Sequence, residues 1–176
     1  NMAAECRFLV TTLGWWDGIV MEYVPYSLLN VTNVLVTQKV SFGAGQRLKI
    51  LGDVLGALSF MHGTLRRVHR DVKAENILAA VTRCAECRAT GLMCGECGLA
   101  CKLTDLADSA LIPAGEGSHP AAELVGTVPY CSPEIDAGLA FSFGADMWAA
   151  GILALELAVR QLPTRDAVPG RTEHLA

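Results

Sequence analysis

The feature that most constrains this chain is a charged run enclosed by apolar residues, VHRDVKAENIL at positions 68–78. The apolar residues at its two ends, with a small apolar stretch continuing to position 81, predict a short strand, a polar loop and a second strand at 77–81. An aspartate in a polar loop is usually a solvated turn residue, so this loop alone assigns no function. Its meaning depends on the motifs that lie later in the chain.

Further strands and helices are predicted around this loop from the hydrophobic pattern. Residues 7–24 indicate a β-hairpin with Asp17-Gly18 in its turn, residues 45–62 a helix with one broad buried face, and residues 100–104 another strand. Residues 105–134 are rich in Gly, Pro, Ser and acidic residues, which predicts a long surface segment of the kind that usually serves function. Residues 145–159 are apolar on nearly all sides, which predicts a helix buried inside a domain.

Four motifs in a fixed order carry a resemblance to a known family. The run at 68–78, with an asparagine five residues after the aspartate, resembles the catalytic loop of eukaryotic-type protein kinases. KLTDLA at 102–107, GTVPYCSPE at 126–134 and ADMWAAG at 145–151 resemble the metal-binding motif, the end of the activation segment and the start of the central helix. VMEYV at 20–24 resembles the hinge between the lobes, so the resemblance covers roughly residues 7–163.

The resemblance implies an α+β fold, a partial protein-kinase-like fold made of the end of the N-terminal lobe sheet and the mainly helical first part of the C-terminal lobe. Residues 1–24 would be a remnant of the N-terminal lobe and the hinge, and residues 25–176 a partial C-terminal lobe. The C-terminal part would carry a cysteine-rich insert at 82–99 and an activation segment at 105–134.

The resemblance also implies a catalytic apparatus for transferring the γ-phosphate of ATP to a protein hydroxyl. Asp71 would accept the proton of the substrate hydroxyl or orient that hydroxyl, and Lys73 would place positive charge beside the transferred group. Asn76 and Asp105 would supply hard oxygen ligands to Mg²⁺ shared with ATP.

Other positions refine the implied activity. Met21 lies at the gatekeeper position, and the backbone around Glu22 and Val24 would hydrogen-bond adenine. The lysine two residues after the catalytic aspartate, together with Thr127, matches serine/threonine kinases better than tyrosine kinases. Arg70 suggests control by phosphorylation of the activation segment. In the family, the equivalents of His69 and Asp146 support the loop, so both should have structural roles.

Two departures from the family pattern open an alternative. Leu106 replaces a phenylalanine, and Ala107 replaces a glycine whose backbone freedom alanine lacks. The family's Gly-rich loop, strand lysine and partner glutamate would all precede residue 1, so we expect this chain to be a piece of a kinase domain that is inactive by itself. The alternative is a pseudokinase-like scaffold or an interaction module with a zinc-binding loop.

Five of the seven cysteines fall within residues 84–101. Two C-x-x-C pairs, Cys84/Cys87 and Cys94/Cys97, resemble facing zinc knuckles whose four thiolates would close a tetrahedral site. Free or redox-active thiols, and disulfides, remain alternatives to structural zinc. The insert could also be a zinc-dependent interaction module on an active kinase.

Composition excludes several classes of protein. With 176 residues, 52% of them hydrophobic, the chain is too apolar to be a disordered tail, and 18 acidic against 14 basic residues argue against a nucleic-acid surface. Its longest apolar run falls short of the ~20 residues of a membrane span, and its start lacks the pattern of a secretory signal. We therefore expect an intracellular protein, cytoplasmic or nuclear, that acts on protein substrates bearing Ser or Thr.

Overall fold

The computed structural model describes residues 6–15, 17–120 and 125–159. Seven short strands occur in these ranges: β1 (Thr12–Trp15), β2 (Ile19–Met21), β3 (Tyr26–Ser27), β4 (Arg67–Val68), β5 (Ile77–Thr82), β6 (Gly98–Leu103) and β7 (Ala110–Leu111). The α-helices there are α1 (Leu28–Thr37), α2 (Ala44–Phe60), α3 (Ala85–Thr90), α4 (Pro133–Asp136) and α5 (Gly144–Val159). A π-helical turn (Met61–Leu65) extends α2, and 3₁₀ turns lie at Ala74–Asn76 and Val128–Tyr130.

The strands form three small antiparallel sheets, β1–β2, β3–β5–β6 and β4–β7. The β5–β6 ladder runs from the Ile77–Leu103 pair to the Thr82–Gly98 pair. Leu9 forms an isolated bridge with Leu103 and is fully buried, so the segment before β1 packs on the same sheet. This sheet connects the catalytic loop to the cysteine-rich insert.

Helices α1, α2 and α5 enclose the main core. Helix α1 is capped by Ser27, whose hydroxyl accepts a hydrogen bond from the Asn30 N–H while the Asn30 side chain accepts from the Ser27 N–H. The predicted helix at 45–62 is confirmed, but its buried face is narrower than expected, because Leu55 is 42% exposed. Two of the six buried residues of α2 are polar, Gln46 and Asp53, and the other four are Ile50, Val54, Ala57 and Leu58.

Several predicted boundaries are corrected by the structure. The hairpin expected at 7–24 is confined to β1 and β2, with the chain turning at Asp17 and Gly18, both at positive φ. The insert expected at 82–99 is shorter, because Thr82 and residues 98–99 belong to the β5–β6 ladder, and it contains helix α3 rather than only loop. The segment 105–134 is not all surface, since Ile112 and Tyr130 are buried.

Helix α5 confirms the helix predicted at 145–159, but the expectation that it is buried on nearly all sides is wrong, because only one face lies in the core. Ala149, Ile152, Leu153 and Leu157 are buried, whereas Met147 is 49% exposed. None of the helices in the described ranges has the length and hydrophobicity needed to cross a membrane. Parts of the predicted divisions at 1–24, 25–176 and 105–134 lie outside the described residues.

Candidate active site and thiol cluster

The loop within the run 68–78, predicted to be the catalytic loop, is held by one buried acid. Asp146, at the start of α5, is fully buried; its Oδ2 accepts from the His69 N–H at 2.8 Å, and its Oδ1 accepts from the Arg70 N–H at 2.9 Å. His62, in the π-helical turn, contacts the same carboxylate through Nε2 at 2.7 Å. These bonds hold Arg70 at a φ of 72°, a left-handed conformation that costs free energy and needs such support.

His69 links the loop to the segment 102–107, predicted to be the metal-binding motif. Its Nε2 lies 2.9 Å from the Thr104 carbonyl oxygen, and its Nδ1 lies 3.3 Å from the Asp71 backbone nitrogen. These contacts fit a neutral ring that donates from Nε2 and accepts at Nδ1. The ring is completely buried, so the contacts agree with the structural role expected for His69.

Asp71 lies at the centre of a closed hydrogen-bonding cluster. Its Oδ2 accepts from Asn76 Nδ2 at 2.8 Å and pairs with Lys73 Nζ at 2.7 Å, and its Oδ1 accepts from the Thr127 hydroxyl at 2.8 Å. Lys73 Nζ also donates to the Thr127 hydroxyl oxygen at 2.7 Å. Asp71, Lys73, Asn76 and Thr127 therefore meet at one point, although they come from two distant segments.

The cluster sets the ionisation state of Asp71. Burial raises the pKa of this carboxyl, but the hydrogen bonds from Lys73, Thr127 and Asn76, with the charge of Lys73, outweigh burial and lower the pKa below its ordinary value of 3.8. Asp71 is therefore a carboxylate at neutral pH, able to accept a proton or a hydroxyl hydrogen bond.

The predicted magnesium ligands lie at one end of the β5–β6 hairpin. Asn76 directly precedes β5, and its Nδ2 is directed at Asp71, so the amide presents Oδ1 as its remaining coordinating atom. Asp105 follows β6 at a φ of 62° and is exposed. Thr104 joins the two positions, because its N–H donates to the Asn76 carbonyl oxygen at 3.0 Å. An amide oxygen and an exposed carboxylate fit the donor chemistry of Mg²⁺.

The departure at Ala107 carries no backbone strain here. The positive φ in this motif falls on Asp105, whereas Ala107 keeps a negative φ that alanine tolerates. A glycine is required further on, at Gly126, where φ is 108° and an added Cβ would lie 2.6 Å from the Arg70 carbonyl oxygen. This close approach brings Thr127 to Asp71.

The predicted adenine-binding residues follow β1 and β2. Met21 ends β2 and is 47% exposed. The Glu22 N–H donates to the Thr11 carbonyl oxygen at 2.9 Å, and the Glu22 carboxylate accepts from Thr11 N–H at 2.7 Å and pairs with Lys102. The hydrogen bond from Lys102 is the main reason why the pKa of Glu22 is lowered. These bonds fix Glu22 to Thr11 and to Lys102 of β6.

The four cysteines of the insert converge on one point. Their sulfur atoms all lie within 4.8 Å of one another, with Cys84 and Cys94 Sγ at 3.8 Å and Cys94 and Cys97 Sγ at 3.7 Å. A disulfide bond would require about 2.05 Å, and these cysteines are free. Burial and neighbouring thiols raise the pKa of Cys87 to about 12, whereas backbone N–H groups overcome burial at Cys97 and lower its pKa to about 7.

Comparison with known proteins identifies the family. The family model "Protein kinase domain" matches residues 15–174. Serine/threonine-protein kinase max-2 of Caenorhabditis elegans is 33% identical over 150 residues, which cover 85% of this chain and 19% of that protein. An L-type lectin-domain containing receptor kinase of Arabidopsis thaliana is 31% identical over 176 residues, covering 96% of this chain and 23% of that protein. Serine/threonine-protein kinase SULU of Caenorhabditis elegans is 31% identical over 162 residues, which cover 89% of this chain and 13% of that protein.

The chain belongs to the protein kinase domain family, as the four motifs predicted, and the expected α+β kinase-like fold is confirmed. The relatives named as serine/threonine kinases support that type of catalytic domain, and none of the comparisons favours the scaffold alternative. The family implies the use of ATP and Mg²⁺ and a protein substrate. The chain spans less than a quarter of the length of each of these three relatives.

Sequence reasoning missed some of the supporting contacts. His62 carries no motif signal that distinguishes it from a surface histidine, yet it contacts Asp146 across 84 positions of sequence. The direct bond from Thr127 to Asp71 spans 56 positions and depends on the close approach at Gly126. Only the folded chain reveals these two contacts.

Proposed function

We propose that this chain is the catalytic part of an ATP-dependent serine/threonine protein kinase. The observation that carries the proposal is the Asp71 cluster, in which a lowered pKa keeps the carboxylate ionised beside Lys73 and Thr127. Asp71 would orient the substrate hydroxyl and accept its proton, while Lys73 would place positive charge beside the group being transferred.

Asn76 and Asp105 are proposed as the residues that hold Mg²⁺, which when bound would neutralise charge on the ATP phosphates. Support comes from the orientation of the Asn76 amide and from the exposed carboxylate of Asp105 beside it in the hairpin. The backbone of Glu22 and Val24, with the Met21 side chain, is proposed to contact adenine. The Glu22 N–H already donates a hydrogen bond to the Thr11 carbonyl oxygen, so the Glu22 carbonyl oxygen is the backbone group that we propose contacts the ligand.

The test is Asp71→Asn in the full-length protein, with labelled ATP, Mg²⁺ and a generic protein substrate. We expect turnover to fall by about 10²- to 10⁴-fold, because a proton acceptor is lost. Nucleotide binding should remain, because Asp71 acts on the hydroxyl and not on ATP. Asp108→Asn, an exposed acid in the following segment, is the matched control. Equal turnover in wild type and Asp71→Asn would overturn the proposal.

We also propose that Cys84, Cys87, Cys94 and Cys97 hold one structural zinc ion. A tetrahedral site with zinc–sulfur bonds of about 2.3 Å has sulfur–sulfur edges of about 3.8 Å. The Sγ–Sγ separations of Cys84 from Cys94, 3.8 Å, and of Cys94 from Cys97, 3.7 Å, match those edges. Metal analysis of protein purified without chelator should give about one zinc per chain, lost in the double variant Cys94→Ser/Cys97→Ser. Freely titrating thiols without bound zinc would rule the site out.

A further inference from the structure

The thiol cluster and the proposed magnesium ligands occupy opposite ends of one hairpin. Cys84 follows the last residue of β5 by two positions, and Cys97 directly precedes β6. Asn76 and Asp105 flank the other ends of the same strands. The ladder between them has six residue pairs, so at about 3.3 Å per residue its first and last pairs lie roughly 17 Å apart.

The insert has little regular structure of its own, so a cross-link between its two C-x-x-C pairs would help to order it. Fifteen residues, 83–97, separate the two paired strands, and closing a flexible loop of this length costs conformational entropy. Helix α3 has six residues, too few to be stable without tertiary support. Cys87 and Cys97 are almost completely buried, so the thiol cluster forms the interior of the insert, and Met93 adds one contact with the main core.

The second C-x-x-C pair, Cys94/Cys97, also packs against the connection between α1 and α2. The Gly43 N–H donates to the Gly95 carbonyl oxygen at 2.8 Å, and a Cβ built on Gly95 would lie 2.2 Å from the Ser41 carbonyl oxygen. The Gln46 side chain, buried in the first turn of α2, donates to the Cys97 carbonyl oxygen. Only a glycine at position 95 permits this approach of two backbones.

Helix α2 leads directly to the catalytic loop. Halfway along it, Asp53 Oδ2 accepts from the Cys101 N–H of β6 at 3.0 Å. The helix then continues through the π-helical turn, which carries His62, into β4 and the loop bearing Asp71. The cysteine cluster is thus joined to the active site along the hairpin and along α2.

We infer that zinc at Cys84, Cys87, Cys94 and Cys97 fastens the far end of the hairpin to α2 and thereby fixes Asn76 and Asp105 for binding Mg²⁺ with nucleotide. The inference rests on the proposed function of those two residues as magnesium ligands. The physical reason is conformational entropy. A cross-link that restricts motion at one end of a paired hairpin also restricts the other end, so a ligand that binds there loses less free energy in ordering its site. Metal occupancy and nucleotide affinity are then linked.

The experiment compares three variants of the full-length protein by zinc content and by calorimetric titration with Mg²⁺·ADP. Cys94→Ser/Cys97→Ser removes two ligands. Gly95→Ala keeps all four thiols but drives a Cβ into the Ser41 carbonyl oxygen. Gly45→Ala is the matched control, because its Cβ meets no atom within 4 Å.

We expect the cysteine variant to lose zinc and to bind Mg²⁺·ADP about fivefold more weakly or worse. Gly95→Ala should keep zinc and still lose affinity, while Gly45→Ala should change neither. If the wild-type protein holds zinc and both test variants bind Mg²⁺·ADP as tightly as the wild type does, the inference is overturned. The proposed kinase function would still stand. If the cysteine variant does not fold, as judged by circular dichroism, Gly95→Ala decides alone.

A failure of the proposed function itself would look different. Wild-type protein that holds zinc but does not bind Mg²⁺·ADP would contradict the role of Asn76 and Asp105. Hydrogen exchange of the β5 and β6 amides would then test the clamp without nucleotide: protection that is lost in Gly95→Ala but not in Gly45→Ala supports it, and equal protection in both overturns it.

Discussion

Two clusters of four side chains lie at opposite ends of the β5–β6 hairpin, and they balance charge in different ways. The Asp71 cluster joins an anion to a cation and to two neutral hydrogen-bonding groups, so its charge is compensated within the protein. The thiol cluster joins four groups that can only become negative. The first cluster is therefore complete as folded, whereas the second is the one that we propose a zinc ion completes.

The largest effect at the catalytic end of the hairpin should come from loss of Asp146, the buried carboxylate that holds the catalytic loop. Asp146→Ala would leave the N–H groups of His69 and Arg70, and the ring of His62, without their acceptor. We expect the free energy of unfolding, measured with denaturant, to fall by about 3 kcal/mol. Asp108→Ala is the surface control. If the two variants were equally stable, the catalytic loop would not depend on Asp146.

Asp105 is the residue at the catalytic end that we propose binds a cation, so it resembles the thiol cluster more than the Asp71 cluster. Asp105→Ala should weaken Mg²⁺·ADP binding by at least about a hundredfold, since groups that merely support metal ligands already cost 10- to 100-fold. Binding of ADP without Mg²⁺ should change little. Ala107→Gly, which restores the family residue at an unstrained position, is the control. Unchanged Mg²⁺·ADP affinity in Asp105→Ala would show a degenerate site.

Loss of one hydrogen bond tests whether the partners of Asp71 stabilise the charge of its carboxylate. Thr127→Val removes the bond to Asp71 Oδ1, so turnover should fall about tenfold. The pKa of Asp71 should also rise, and because activity is lost as pH falls through that pKa, the acidic limb of the rate profile should move to higher pH. Thr82→Val, at an exposed strand end, should leave the profile unchanged. An unshifted acidic limb in Thr127→Val would contradict the role of this bond.

A buried acid outside both clusters should give the weakest response. Burial, and then the charge of Glu75, raise the pKa of Glu156 above 4.5, while the hydroxyl of Tyr130 donates to its carboxylate. The protonated form is favoured in the folded state, so wild-type stability should decline as pH rises from about 4.5 through the raised pKa. Glu156→Gln should remove that decline in denaturation midpoints, and Glu116→Gln should not. If stability still declines with rising pH in Glu156→Gln, a titratable group other than Glu156 causes the decline and the prediction is wrong.

The sequence predicted the groupings that depend on local spacing. Asn76 lies five positions after Asp71, and the C-x-x-C pairs place their own thiols together, so these groupings needed no knowledge of the tertiary fold. The narrower face of α2 was not predictable, because periodicity finds an apolar stripe but not its edge, and Leu55 falls outside it.

The contacts that complete both clusters depend on distant segments meeting. Thr127 reaches Asp71 only because Gly126 admits the backbone of the catalytic loop, and Gly95 docks only because Ser41 and Gly43 lie against it. A glycine in a sequence does not say which backbone it will approach. These contacts therefore required the structure.

The proposed kinase activity is decided by the chemical identity of its product. Purified full-length protein is incubated with γ-labelled ATP, Mg²⁺ and a mixed protein substrate, and the labelled residues are identified by mass spectrometry. Because Lys73 and Thr127 are joined to Asp71, we expect phosphoserine and phosphothreonine, both absent with Asp71→Asn. Phosphotyrosine alone, or no transfer above that variant, would contradict the proposed serine/threonine kinase function.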